Sequence, residues 1–215
     1  MKTCRLVKSS LLISICSILS LSACTSTTDD SEKTKITLNE SISIKKSKVI
    51  VMPVISTSNK SFNSSILDAN YIAVWASDVG KENIIPIPFI ALDKIPYAMD
   101  AILAIYKTMT DDTHSKNVDK IKGTIAEKFL KDFGEKYGDY SIAFTFLSGD
   151  ENSYNSTGTI TTSMGLLNIN SLAWKWNTHK EYKKGLFPVP FNVAVQQTTK
   201  VSINDVKKAN QEKLY

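Results

Sequence analysis

The 215-residue chain predicts a mixed α/β domain, with helices packed against a sheet that holds both parallel and antiparallel strands. Three observations carry that expectation. Lys48-Val49-Ile50-Val51-Met52-Pro53-Val54 is a short continuous apolar run, the pattern of a strand buried on both faces. The segments after it switch between helical and extended apolar spacing, and such alternation implies parallel strands joined by helical crossovers. From residue 139 onward, strand-like segments follow one another without a helix between them, which is an antiparallel meander. The predicted order is β-α-β-α-β-β-β-α, over residues 48–215 as one domain of ordinary size.

Taken in order, Pro53 ends the regular pairing of the first strand. After a polar loop, Ser56 to Ser64, the three- and four-residue spacing of Ile66, Leu67, Tyr71, Val74 and Trp75 predicts a helix with one buried stripe, stopped at Gly80. Asn83 to Phe89 reads as a second strand whose two prolines place it near an edge or a strand end. Ala91 to Met109 is the strongest helix, with Pro96 in its first turn or marking its true start. Val118 to Tyr137 repeats the helical period through Ile121, Ile125, Phe129, Leu130 and Phe133, and Gly134 or Gly138 ends it.

Asp139 to Leu147 sets Ile142, Phe144 and Phe146 on one face at period two, the mark of a central strand. Ser148 to Gly158 reads as a loop. Thr159 to Asn168 and Ser171 to Glu181 read as strands joined by the tight turn Asn168-Ile169-Asn170-Ser171. Beyond Gly185, Pro188 and Pro190, a short strand is expected at Phe191 to Val195, and Val201 to Leu214 closes the chain as a modest helix capped by Ser202.

Ahead of the domain, Lys2, Arg5 and Lys8 precede an apolar run from Leu11 that is far shorter than the roughly 20 residues a membrane span needs. It closes with Leu21-Ser22-Ala23-Cys24, which resembles the lipobox of bacterial lipoproteins. That resemblance implies cleavage between Ala23 and Cys24, diacylglycerol on the Cys24 thiol and a further acyl chain on the new amine. Residues 1–23 are then a signal peptide. Residues 24–47, rich in Thr, Ser, Asp and Lys, are a flexible tether with a coil reach of roughly 25 Å, whose last part is expected to pair as an edge strand. Thr25 stands where inner-membrane retention commonly uses Asp, so the implied location is the outer membrane, facing the periplasm.

Loss of the signal removes three basic residues and no acidic ones, lowering the net charge from +5 to +2. A chain so close to neutrality, with no basic face interleaved with aromatics, gives no ground for a nucleic-acid partner. Cys4 and Cys16 leave with the signal, so Cys24 is the only cysteine of the mature chain and no disulfide is expected.

Three stretches extend the comparison to the domain. Val49-Ile50-Val51-Met52-Pro53-Val54, Tyr137-Gly138-Asp139-Tyr140-Ser141-Ile142-Ala143 and Leu172-Ala173-Trp174-Lys175-Trp176 are similar to the pattern of the periplasmic group that includes the penicillin-binding-protein activator, the curli secretion lipoprotein and the Tol amino-terminal domain. Residues 83–137 hold more helix than the simplest members need, and Asn168 and Asn170 replace the usual glycine before the last strand. The resemblance implies a non-enzymatic adaptor or assembly factor that contacts an envelope protein and is held to the membrane by its lipid.

No catalytic, cofactor or metal motif is evident. His114 and His179 lack zinc-ligand spacing. His114 with Asp112 suggests a triad only if a nucleophile converges on it, and no nucleophile elbow is present. The pairs Asp111-Asp112 and Asp150-Glu151 serve acid and base chemistry if a cleft gathers them, and more commonly cap helices or solvate turns. An envelope hydrolase or small-ligand-binding lipoprotein, with acidic residues of the 148–158 loop lining a deep polar pocket, is therefore the alternative reading. Self-assembly into a pore would need long alternating strands that are not seen. Trp174 and Trp176, two apart on one strand, are expected to share a face, as a partner surface or as core. Pro86-Ile87-Pro88-Phe89 and its echo Pro188-Val189-Pro190-Phe191 suggest related loops at one end of the sheet.

Overall fold

Val49, Ile50 and Val51 are fully enclosed, as a run apolar on both faces demands, because helices cover both sides of the sheet they enter. The computed structural model describes residues 35–38, 48–62, 65–109, 114–138 and 140–212. All of them fall in one compact unit, Ser31–Tyr215.

The strands are β1 (Lys35–Leu38), β2 (Val49–Val51), β3 (Ile55–Ser56), β4 (Ser61–Phe62), β5 (Ile84–Pro86), β6 (Ser141–Leu147), β7 (Thr159–Asn168) and β8 (Ala173–Lys183). The helices are α1 (Ser65–Val79), α2 (Phe89–Asp93), α3 (Ala98–Met109), α4 (His114–Ile121), α5 (Ile125–Tyr137), α6 (Glu151–Thr157) and α7 (Phe191–Glu212). The sheet runs β1-β8-β7-β6-β2-β5. Its β5, β2 and β6 members are parallel, while β6, β7, β8 and β1 are successively antiparallel. The mixed sheet with packed helices is thus the predicted class, and β1 supplies the edge strand expected within residues 24–47.

Two apolar layers result. On one face, α1 and α7 bury Leu67, Tyr71, Trp75, Ala194, Val195 and Ile203 against Val49, Ala143, Met164 and Trp176. On the other, α2 to α5 bury Leu92, Ile102, Ile105, Phe129 and Leu130 against Ile50, Ile142, Phe144 and Trp174.

The structure departs from the expected elements at five places, the first being the polar loop expected at Ser56 to Ser64, which holds the end of β3 and all of β4 as an antiparallel hairpin. Ala91 to Met109 is two helices, because Pro96 lacks an N–H and interrupts the ladder; 3-10-type bonds from Ile95 N to Leu92 O and from Ala98 N to Ile95 O bridge the break. Val118 to Tyr137 is likewise divided, with Thr124 capping α5 by accepting from Ala126 N. The loop read at 148–158 holds α6, capped by Asp150 and closed by Gly158 in the left-handed region at φ 75°.

Finally, Phe191 to Val195 is not a strand but the opening of the 22-residue α7, and Ser202 lies buried inside that helix rather than capping it. Pro190 O accepts from Ala194 N, so the first helical turn forms directly after the two prolines.

Between β7 and β8 the register shifts: Leu166 faces Trp176 and Leu167 faces Trp174, leaving Lys175 as an extra residue on β8. The expected common face for the two tryptophans is therefore corrected. Trp174 joins the α2–α5 layer and Trp176 the α1/α7 layer.

Candidate functional site

Strands β2, β5, β6 and β8 all point the same way, so their carboxyl ends meet at one end of the sheet. Open α/β sheets place their working loops there. This end carries the β3–β4 hairpin, the Pro86–Pro88 loop, the start of α6 and the loop after β8. Both Pro-x-Pro-Phe motifs lie here, each leading from a strand toward a helix that begins at its phenylalanine, α2 at Phe89 and α7 at Phe191. Lys35, which begins β1, pairs with His179 near the end of β8, so the amino-terminal side of β1 belongs to the same end.

Two carboxylates stand out in this region. Asp68, in the first turn of α1, accepts a 2.9 Å hydrogen bond from Val54 N just beyond the kink at Pro53. Burial nevertheless dominates and pushes its carboxyl up to about 6. Tyr71, one turn on, is fully enclosed, and burial drives its phenol well above the ordinary range; its hydroxyl has no hydrogen-bond partner among the described residues. Asp150 is the opposite case. It accepts from Ser153 N at 2.8 Å, Ser153 Oγ at 2.9 Å and Asn59 Nδ2 at 2.7 Å, and these bonds hold it down to about 2. Its geometry is that of a helix cap tied to the β3–β4 hairpin. Glu151 is exposed on α6.

An open groove of about 390 Å³ lies beside the Pro86–Pro88 loop, lined by Ile85, Pro86, Leu92, Ile95, Phe133 and Tyr137 among others, with Asp132 and Lys136 at its polar margin. Tyr97 donates to Asp132 at 2.5 Å, while Lys128 bonds both at 2.9 Å and lies 4.9 Å from the Tyr97 ring centre. A second groove, about 410 Å³, runs from Lys60 and Phe62 to Phe89 and Met99. Neither is lined by Asp150 or Glu151, so these two are not the acidic cleft of the alternative reading.

Of the histidines, His114 opens α4. His179 Nδ1 meets Ser163 Oγ at 2.7 Å, with Nε2 3.4 Å from the Met109 carbonyl oxygen. A hydroxyl–imidazole pair is one ingredient of nucleophilic catalysis, yet Ser163 is only 3% exposed. Among the described residues, no group of three or more His, Cys, Asp and Glu side chains is placed to hold a metal ion, and no described helix is long and apolar enough to cross a membrane. Cys24, Asp111 and Asp112 lie outside the described residues.

Trp174 and Trp176 are both 0% exposed, so of the two expected readings the core one holds and the partner-surface one is corrected. Trp176 stacks on Trp75 with ring centres 6.0 Å apart, and Trp174 donates to Thr108 Oγ1 at 2.8 Å. The exposed large apolar side chains lie elsewhere. Leu186 is 96% exposed and Phe187 91%, both on the loop after β8. Sequence reasoning passed over them because two adjacent apolar residues in a Gly- and Pro-bounded loop have no period; their signal is that absence of period.

No family model matches the chain, and no curated protein matches it. Among solved structures it is similar to the PelC dodecamer from Paraburkholderia phytofirmans in two crystal forms. One has a TM-score of 0.43 and 10% identity, covering 80% of this chain and 97% of that one. The other has a TM-score of 0.42 and 8% identity, covering 80% and 94%. The lipoprotein GNA1162 from Neisseria meningitidis is also similar, with a TM-score of 0.36, 11% identity and coverage of 74% and 95%.

Proposed function

We propose that this chain is a lipid-anchored bacterial envelope protein that acts without enzymatic chemistry, as an adaptor or as an assembly or regulatory factor for a periplasmic or outer-membrane complex. The observation that carries this reading is Leu21-Ser22-Ala23-Cys24 closing a short basic-then-apolar leader. An anchor of this kind supplies address and local concentration rather than chemistry, and suits a protein that works by contact. The open, mainly apolar groove beside Pro86–Pro88, with charged Asp132 and Lys136 at its margin, is the kind of surface on which a protein segment can settle.

Mass spectrometry of the mature protein tests the anchor: its first residue is Cys24, carrying a diacylglycerol thioether and an acylated amine, and the protein fractionates with the outer membrane. Cross-linking in detergent extracts of the native envelope tests the adaptor role. A defined envelope protein is recovered, and a clean preparation that repeatedly yields none counts against that role.

A further inference from the structure

We infer that the loop after β8 is a membrane-docking element: Leu186 and Phe187 insert into the lipid surface to which Cys24 is tethered. The inference rests on the lipid-anchor reading and adds to it a defined orientation of the domain.

Adjacent leucine and phenylalanine side chains left 96% and 91% exposed are costly in water unless something covers them. The loop presents them on a fixed base. Lys184 N donates to Gly158 O at 2.7 Å, the Tyr154 hydroxyl donates to Val189 O at 2.8 Å, and Phe191 is buried where α7 begins. Pro188 and Pro190 restrict the return path, and among the described residues nothing approaches within 4 Å of where a Cβ on Gly185 would stand. Lys183 and Lys184 precede the apolar pair. Lys184 Nζ lies 4.4 Å from the Tyr154 ring centre and 3.4 Å from Asn155 O, and Lys183 pairs with Glu181 at 3.3 Å. Apolar tips with basic shoulders fit the boundary between acyl chains and headgroups.

Geometry selects lipid as the occupant. β1 runs antiparallel to β8, and Lys35 pairs with His179, so the first residue of β1 stands at the end of the sheet that carries this loop. Lys35 follows Cys24 by eleven residues, which span at most about 40 Å even when fully extended. The anchor therefore holds this end of the sheet close to the bilayer. A single tether fixes distance but not orientation, and a second contact at the same end supplies the orientation.

The test uses the full, processed and lipidated chain carrying Phe187→Cys, whose thiol is the only free one once Cys24 bears its lipid. It is labelled with an environment-sensitive dye and reconstituted on phosphatidylethanolamine–phosphatidylglycerol vesicles. Ser171→Cys, in the exposed turn at the opposite end of β8, is the control. At position 187 the dye emission shifts to the blue, bromine-labelled acyl chains quench it, and iodide access falls several-fold relative to position 171. Adding Leu186→Asp reverses these changes without altering the circular dichroism. Equal iodide access at both positions, with the lipid mass present on Cys24, overturns the loop inference alone. Protection from iodide without quenching by brominated lipid also overturns it and points to a second copy. Absence of lipid on Cys24 overturns the anchor reading, and the loop inference falls with it.

Discussion

Asp68 is held in a conflict between solvation and hydrogen bonding. Its bond from Val54 N favours the carboxylate, yet burial outweighs it and raises the group to about 6. A carboxyl whose folded value exceeds its ordinary 3.8 contributes stability that is fully present below that value and is lost as pH rises through about 6. Asp68→Asn keeps an oxygen acceptor for Val54 and removes the charge. The side chain is partly exposed, so a gain on the order of 1 kcal/mol is the scale to expect, or a rise in Tm of roughly 2–4 °C at pH 8 that fades by pH 4. Thermal melts across that range check this, and a gain that does not change with pH refutes it. Asp150 has the reverse dependence: held at about 2, it contributes stability present above its ordinary value and lost as pH falls through about 2. Asp150→Ala lowers the melting temperature at pH 7 by more than Asp150→Asn, because asparagine still caps α6. Differential scanning calorimetry of the two variants separates them.

Among the elements, β8 owes its form to one extra residue. Lys175 lets tryptophans two apart in sequence enter opposite layers, which strict alternation forbids. Deleting Lys175 makes the two tryptophans neighbours, which regular alternation already sends to opposite faces in register with Leu167 and Leu166, so the deleted chain is recovered folded, with both indoles still shielded from acrylamide quenching. Lys175→Ala keeps the backbone count and changes stability by less than about 0.5 kcal/mol in urea titration. Gly165, on β7 opposite this region, is the complementary device: a Cβ there would stand 2.8 Å from the Trp174 ring and from Trp176 O. Gly165→Ala therefore destabilises by about 1–3 kcal/mol in the same titration, and an unchanged midpoint would show that the indole gives way freely.

Bulges of this kind leave no periodic trace, and this is why the two tryptophans read as one face. Helix α7 was hidden differently. Its buried positions 191, 194, 195, 198, 199, 202, 203 and 206 follow helical spacing, but 198, 199 and 202 are Thr and Ser. Thr198 and Thr199 satisfy themselves by donating back to Ala194 O and Val195 O, so polar letters fill the core stripe and split one helix into a segment that reads as a strand, Phe191 to Val195, and one that reads as a separate helix from Val201. The runs at Val49–Val51 and Ile142–Phe146 were legible because apolar spacing alone decides them.

At the scale of the whole molecule, one sheet joins two layers, each with its own indole reporter. Trp75 and Trp176 report from the α1/α7 side and Trp174 from the other. A variant with Trp75→Phe and Trp176→Phe retains only the Trp174 signal, and its fluorescence midpoint is expected to coincide with its own circular-dichroism midpoint. Separate midpoints would mean that the layers unfold independently. The candidate site was legible only in part. Cys24 is marked by a local motif, whereas the end of the sheet that gathers the loops is set by strand direction, a long-range property no short window contains. The outer strands carry one more consequence. β5 has three residues and ends in Pro86, and β1 has four. Borders so brief, one blunted by a residue that cannot donate, offer little for another chain to zip onto. Growth by strand addition into fibrils is thereby discouraged, and separate copies are left to meet through their side chains.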